Sequence, residues 1–146
     1  MMKPDLILIA NATHARLLRR APGTALALVH TFEHPQSRAK SSDLTSDSAG
    51  QQQTDRGAGS ASYPPRLDAK AKEHLRFAQE LASHLENEAR HNRFHALCII
   101  ASSPFLGRLK AELGTAATRL LFATRDLDLT SVPLHELDGR ITRELA

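Results

Sequence analysis

The side chains with the widest chemical reach in this chain are its eight histidines and its single cysteine. A metal site needs several such ligands converging at fixed spacing. His30 and His34 are four apart, but they lie across a strand end and share no helix face. His91 and His95 straddle a helix-to-strand boundary. There is no His-Glu-x-x-His run and no Cys/His cluster, so the histidines read as scattered surface residues and no metal is expected. Cys98 sits in the apolar run Leu97-Cys98-Ile99-Ile100, where it reads as a small buried hydrophobe with a disfavoured thiolate. No Gly-x-Ser-x-Gly elbow appears. Gly57-Ala58-Gly59 is too short for a phosphate loop and no Gly-Lys-Ser/Thr follows it, so no cofactor is expected.

One stretch keeps a chemical option open. Residues 34–66 are rich in Ser, Gln, Gly, Asp and Pro, and Leu44 and Tyr63 are their only sizeable apolar residues. Such a stretch cannot bury a core of its own and reads as a long polar loop. Within it, Gly50 precedes Gln51, and a glycine beside a glutamine can carry an amide into a partner's cavity. The low-complexity glutamines favour a plain polar loop.

The elements that must position these residues follow from periodicity. Leu6 to Ala10 is a continuous apolar run, as expected of a central strand covered on both faces. Asn11 to His14 form a turn, Ala15 to Arg20 a second strand, and Pro22-Gly23 another turn. Leu26, Leu28, His30 and Phe32 alternate as in a half-buried third strand. A long helix begins at Asp68 after Pro64-Pro65, with Ala71, Leu75, Ala78, Leu81, Ala82, Leu85 and Ala89 as its apolar stripe. Ala96 to Ala101 is a second central strand. Ser103 caps a helix with Pro104 in its first turn and an end at Gly114. Arg119 to Ala123 is the fifth strand, and Ser131 caps a last helix ending near Leu145.

Three antiparallel strands are thus followed by two that return through helices, and right-handed crossovers make those two parallel to the first. The fold class is a single α/β domain over residues 1–146, with a five-stranded mixed sheet of ribonuclease-H-like topology. A nuclease of that topology needs carboxylates converging on two metal ions. Asp5 lies only at the start of the first strand and the fourth strand holds no acid, so the nuclease set is absent.

Length, composition and charge agree with one soluble domain. The chain has 146 residues, 41% apolar and 24% charged, and a formal charge of +3. A chain of that size needs no disulfide or metal to stay folded. The charge permits nucleic-acid binding without implying it. The short apolar run near Met1 is no secretory signal, and no run reaches membrane-span length, so a cytoplasmic location is expected.

The segment from Ile9 to Leu18, reading Ile-Ala-Asn-Ala-Thr-His-Ala-Arg-Leu-Leu, resembles the opening of the bacterial host-attachment proteins. His34-Pro35 with Arg38, and Asp47 with Gly50, resemble that family's loop signature. Arg76-Phe77-Ala78 and Leu81-Ala82 resemble its helix pattern. The stretch from Ala101 to Leu109, reading Ala-Ser-Ser-Pro-Phe-Leu-Gly-Arg-Leu, is the most specific match, and Asp128-Leu129-Thr130 with Pro133 resembles the C-terminal signature. Three positions depart from the pattern: Asn11 stands in place of an acid, Gln51 in place of a basic residue after Gly50, and Leu127 in place of a basic residue before Asp128.

The resemblance implies an indirect part in bacterial attachment. It also implies a remote likeness to the central domain of archaeal and eukaryotic peptide-release factors, in which a Gly-Gly-Gln tip occupies the equivalent loop. Here Ala49 replaces the first glycine and removes backbone freedom such a tip needs. The candidate binding residues are Asn11, His14, Arg16, Arg38, Asp47, Gly50, Gln51, Arg56, Pro104, Gly107, Arg108, Asp128 and Thr130. The expected function is a non-catalytic binding or regulatory module with an indirect role in attachment, its partner either a protein or the ribosome or RNA. The alternatives are a ribosome- or RNA-associated module and an esterase-type hydrolase acting through the 34–66 loop.

Overall fold

The computed structural model describes residues 3–34 and 65–146, with side chains of the second stretch from residue 69 onward. Strands β1 (Asp5–Ala10), β2 (His14–Arg20) and β3 (Ala27–Glu33) come first. Helix α1 (Pro65–Arg90) leads to β4 (Ala96–Ala101), then α2 (Phe105–Glu112), α3 (Thr115–Leu120), β5 (Leu121–Arg125) and α4 (Leu134–Leu145). The sheet order is β3-β2-β1-β4-β5. β1 pairs antiparallel with β2, β2 antiparallel with β3, and β4 runs parallel to both β1 and β5. The five-stranded mixed α/β sheet expected from the sequence is therefore the architecture found.

Alternation along the strands splits the core into two layers. Leu6, Leu8, Ala15, Leu17, Leu97 and Ile99 face α1, α2 and α3. Ile7, Ile9, Leu18, Cys98 and Ile100 face α4 through Leu137 and Ile141. β1 and β4 are buried on both faces, which is why both read as unbroken apolar runs. A register shift between Leu17 and Leu18 marks a bulge in the β2–β3 pairing, and the exposed Leu28 and Val29 of β3 lie beside it.

Several sequence expectations are corrected. Helix α1 starts at Pro65 rather than Asp68, because proline suits a first helical turn where its missing N–H is not needed. Leu75 is exposed and Phe77 is fully buried in its place, so the sheet-facing stripe runs Phe77, Ala78, Leu81, Ala82, Leu85, Ala89. Arg119 and Leu120 belong to the short helix α3, and β5 begins only at Leu121. Neither Ser103 nor Ser131 caps a helix: Pro104 and Pro133 hold those positions without a side-chain cap. Gly107, a candidate binding residue, faces open space, where a Cβ would meet nothing within 4 Å. Phe105, Leu106 and Leu109 make the buried face of α2, and Gly107 is exposed.

α3 owes its start to α1. Glu86 accepts from the N–H groups of Ala117 (2.9 Å) and Ala116 (3.2 Å), supplying the acceptor that a free helix N-terminus lacks. The bond from Ala117, opposed by desolvation and helped by Arg90, holds the Glu86 carboxyl below its ordinary range. Gly114 leaves the space this carboxylate fills: a Cβ at 114 would overlap Glu86.

Candidate functional site

β1, β3, β4 and β5 all point the same way, so their C-terminal ends meet at one edge of the sheet. That edge gathers the β1–β2 turn, the end of β3, the residues after β4 and those after β5. In open α/β sheets this is where ligands are commonly bound. The chain also leaves the described structure here, at His34, and the first turns of α1 return beside it: His34 Nε2 lies 2.9 Å from Glu73 Oε1.

Asn11 organises the edge. Its Oδ1 accepts from the Thr13 N–H (2.9 Å), the Thr13 hydroxyl (3.0 Å) and the His14 N–H (2.8 Å), closing the turn with a side chain. Its Nδ2 donates to Asp128 Oδ2 and to Thr130 Oγ1, both at 3.0 Å. Thr130 donates to Asp128 Oδ1 through its hydroxyl (2.6 Å) and its N–H (2.9 Å). Partial burial pushes the Asp128 carboxyl up, but the bonds from Thr130 and Asn11, with the nearby His14, outweigh it and leave Asp128 below the ordinary aspartate range. Thr13 Oγ1 also lies 2.9 Å from His14 Nδ1. With the hydroxyl proton committed to Asn11, His14 Nδ1 is the donor in that contact. The other ring nitrogen, Nε2, stands 3.6 Å from Glu33 Oε1.

Arg16 ties this turn to the segment after β5. Its Nη1 donates to the carbonyls of Val132 (2.6 Å) and Thr130 (3.3 Å). A flat guanidinium on the α4 face thus satisfies backbone acceptors of an irregular stretch. One strand further, Ser103 donates to Asp126 through its hydroxyl (2.7 Å) and its N–H (3.0 Å), and these bonds hold the Asp126 carboxyl below its ordinary range. On the α1 side, Glu73 also receives Arg76 Nη1 at 2.6 Å, while the His34 ring stacks on Phe77 at 5.3 Å.

Asn11, His14, Arg16, Asp128 and Thr130 therefore meet in one network although residues 11 and 128 are 117 positions apart. Pro104, after a cis Ser103–Pro104 peptide bond, lies next to Ser103 at the same edge. Arg108 turns instead to α1 and donates to the Ala71 carbonyl at 3.5 Å. Arg38, Asp47, Gly50, Gln51 and Arg56 fall outside the described residues. Thr13, Glu33, Glu73, Ser103 and Asp126 join the edge without having been singled out as site residues. For Glu73 a signal existed: it lies four residues before Phe77, hence on the sheet-facing side of α1. Among the described residues there is no group of three or more His, Cys, Asp or Glu placed to hold a metal ion. No described helix is long and apolar enough to cross a membrane.

A family model described as "protein required for attachment to host cells" matches residues 6–141, a span that holds every element from β1 to α4. The chain belongs to this host-attachment family. No curated protein matches it. In this member of the host-attachment family, position 11 is an amide whose Nδ2 donates to Asp128. A carboxylate at position 11 has no proton to give Asp128 at neutral pH, whereas the Asn11 amide donates to it directly. Leu127, where a basic residue stands in the resemblance, packs against the α4-side core, so neither position carries a charge here.

Proposed function

We propose that this host-attachment protein is a non-catalytic binding and regulatory module that acts on attachment indirectly, and that its contact surface is the C-terminal edge of the sheet. One observation carries this reading: Asp128, Asp126 and Arg16, the charged groups tied into the edge, are spent on their own neighbours. Asp128 takes three donors from Asn11 and Thr130, Asp126 takes two from Ser103, and Arg16 is bound to two backbone carbonyls. A general base or a nucleophile needs a free lone pair aimed at a substrate. A network closed on itself instead fixes the shape of a surface. His14, Glu33, Ser103 and Asp126 lie on its solvent side, and the 35–64 segment, with Arg38, Asp47, Gly50, Gln51 and Arg56, springs from it. The strand order and mixed pairing also support the ribonuclease-H-like label for the fold.

The test is capture of partners by the tagged full chain from lysate of the source cells, with and without nuclease, comparing the native chain with a His14→Ala/Glu33→Ala double variant. A protein captured in both nuclease conditions and lost with the variant is the expected result. Partners that vanish on nuclease treatment, together with salt-sensitive co-sedimentation with ribosomes, would replace this reading with the release-factor-like, RNA-associated one. Recovery of no partner under any condition would refute both.

A further inference from the structure

The opposite edge of the sheet holds a feature the network does not use. The starts of β1 and β3, the end of β2 and the end of α1 enclose a cleft of about 600 Å³. That lies within the range of small-molecule sites, roughly 300–1,000 Å³. Its apolar lining includes Leu6, Ala25, Ala27 and Val29. Ala27 at the start of β3, with Ala21 and Ala25 in the loop before it, leaves this space unfilled, and Val29 is left 43% exposed.

Two guanidinium groups stand over this floor against one carboxylate. Arg93 donates to Glu88 Oε2 at 2.6 Å, so that pair neutralises itself. Arg19 is different. Register places it between Leu6 on β1 and Ala27 on β3. It is exposed and forms no hydrogen bond or ion pair with any described residue. A free guanidinium beside an apolar hollow has two complementary needs: an anionic group with paired acceptor oxygens and a hydrocarbon surface below it.

We propose that this cleft binds a small amphipathic anion, an alkyl carboxylate whose chain lies over Leu6, Ala27 and Val29 and whose head pairs with Arg19. The Arg93–Glu88 pair, neutral as a whole, walls the cleft without competing for that head. The contact is independent of the edge proposed above to meet a partner, since it is built from the N-terminal ends of β1 and β3.

The probe is decanoate, held below its micelle concentration and titrated into the full chain by calorimetry, with methyl NMR shifts as the map. Decyltrimethylammonium supplies the same chain with an inverted head charge, and acetate the head without the chain. Saturable one-to-one binding of decanoate, with shifts at the Ala27 and Val29 methyls, is expected. Decyltrimethylammonium and acetate should bind at least fivefold more weakly. Arg19→Gln should weaken decanoate about two- to fivefold, the span of an exposed ion pair. Ala27→Leu, which raises the floor of the cleft where the chain would lie, should weaken decanoate binding further. Failure of decanoate to saturate, or equal binding of the two head groups on the native chain, overturns the proposal whatever the variants do. So does an unchanged affinity in a folded Arg19→Gln chain.

Discussion

Replacing Asn11 by Asp changes one NH₂ to an oxygen and leaves the shape of the side chain intact. The turn-closing role of Oδ1 survives, because a carboxylate still accepts from the Thr13 and His14 N–H groups. The other half of the side chain reverses sign: where Nδ2 donates to Asp128 at 3.0 Å, an oxygen now faces a carboxylate. The lost bond to a charged acceptor costs about 1.5 kcal/mol, the low end for such bonds given the exposure of Asp128. Two like charges at that separation add about 1.4 kcal/mol even with the dielectric of water. Together the Asn11→Asp chain should be roughly 3 kcal/mol less stable at pH 7, or roughly 6–12 °C lower in melting temperature.

The pH dependence distinguishes this account from general damage. In the native chain Asp128 lies below its unfolded value, so its contribution is present above about pH 3.9 and is lost as pH falls through the folded value. In the variant the facing carboxyls hold one proton more readily than the unfolded chain does. A folded value raised above the unfolded one makes stability rise as pH falls toward about 4. The gap between the two chains must therefore narrow from pH 7 to pH 4. Thermal melts across that range provide the assay. A deficit that stays constant with pH, or no deficit at pH 7, would refute the assigned geometry of Asn11.

Three further outcomes follow from other parts of the molecule. Cys98 is fully buried and burial pushes its thiol up to about 11, so a maleimide at pH 8 should label it only after denaturation; labelling of the folded protein would contradict its position in β4. Gly114→Ala and Glu86→Ala should each lower the melting temperature by uncapping α3, and the double variant should lose no more than the worse single one, because both remove the same contact. Ser103→Ala should lower stability at pH 7. That loss should fade in strongly acid solution, where Asp126 takes up its proton in both chains; a pH-independent loss would mean that Ser103 acts through something other than Asp126.

The parts of this fold legible from sequence are those fixed by local pattern. β1 and β4 are unbroken apolar runs because both faces are covered, and their parallel pairing follows from the intervening helix. The stretch from Thr115 to Arg125 is not legible in this way, because Ala-Thr-Arg-Leu-Leu carries neither a helical nor a strand period and its helix start is supplied by Glu86 from another element. Ser103 has the right residue type for a cap, yet Asp126 on the neighbouring strand end takes both of its donors. The candidate site divides in the same manner. Asn11, Arg16, Asp128 and Thr130 are marked in the sequence only by family resemblance, since no spacing rule links positions on opposite ends of a chain. Glu33, Glu73 and Asp126 are single acids without a motif, and only the strand order brings them to the edge.

The three arginines of β2 show how much a two-residue period decides once the sheet is known. Arg16 and Arg20 share a parity and point to the α4 face. Arg16 binds the Val132 and Thr130 carbonyls, and Arg20 binds Asp138 Oδ1 at 2.7 Å and Thr142 Oγ1 at 3.3 Å. Both fasten the C-terminal segment to the sheet. Arg19 has the other parity and stands over the open cleft. Residue type alone makes the three equivalent candidates for an anionic partner; parity makes two of them structural. Arg16→Met leaves two carbonyls without their donor and should cost about 1–3 kcal/mol. Arg19→Gln should stay within about 0.5 kcal/mol of the native chain, as an exposed side chain with no partner does. Chemical denaturation of the two variants measures both. Equal losses would mean that the alternation of β2 does not sort its arginines in this way, and with it would fall the assignment of Arg16 to the edge network and of Arg19 to the cleft.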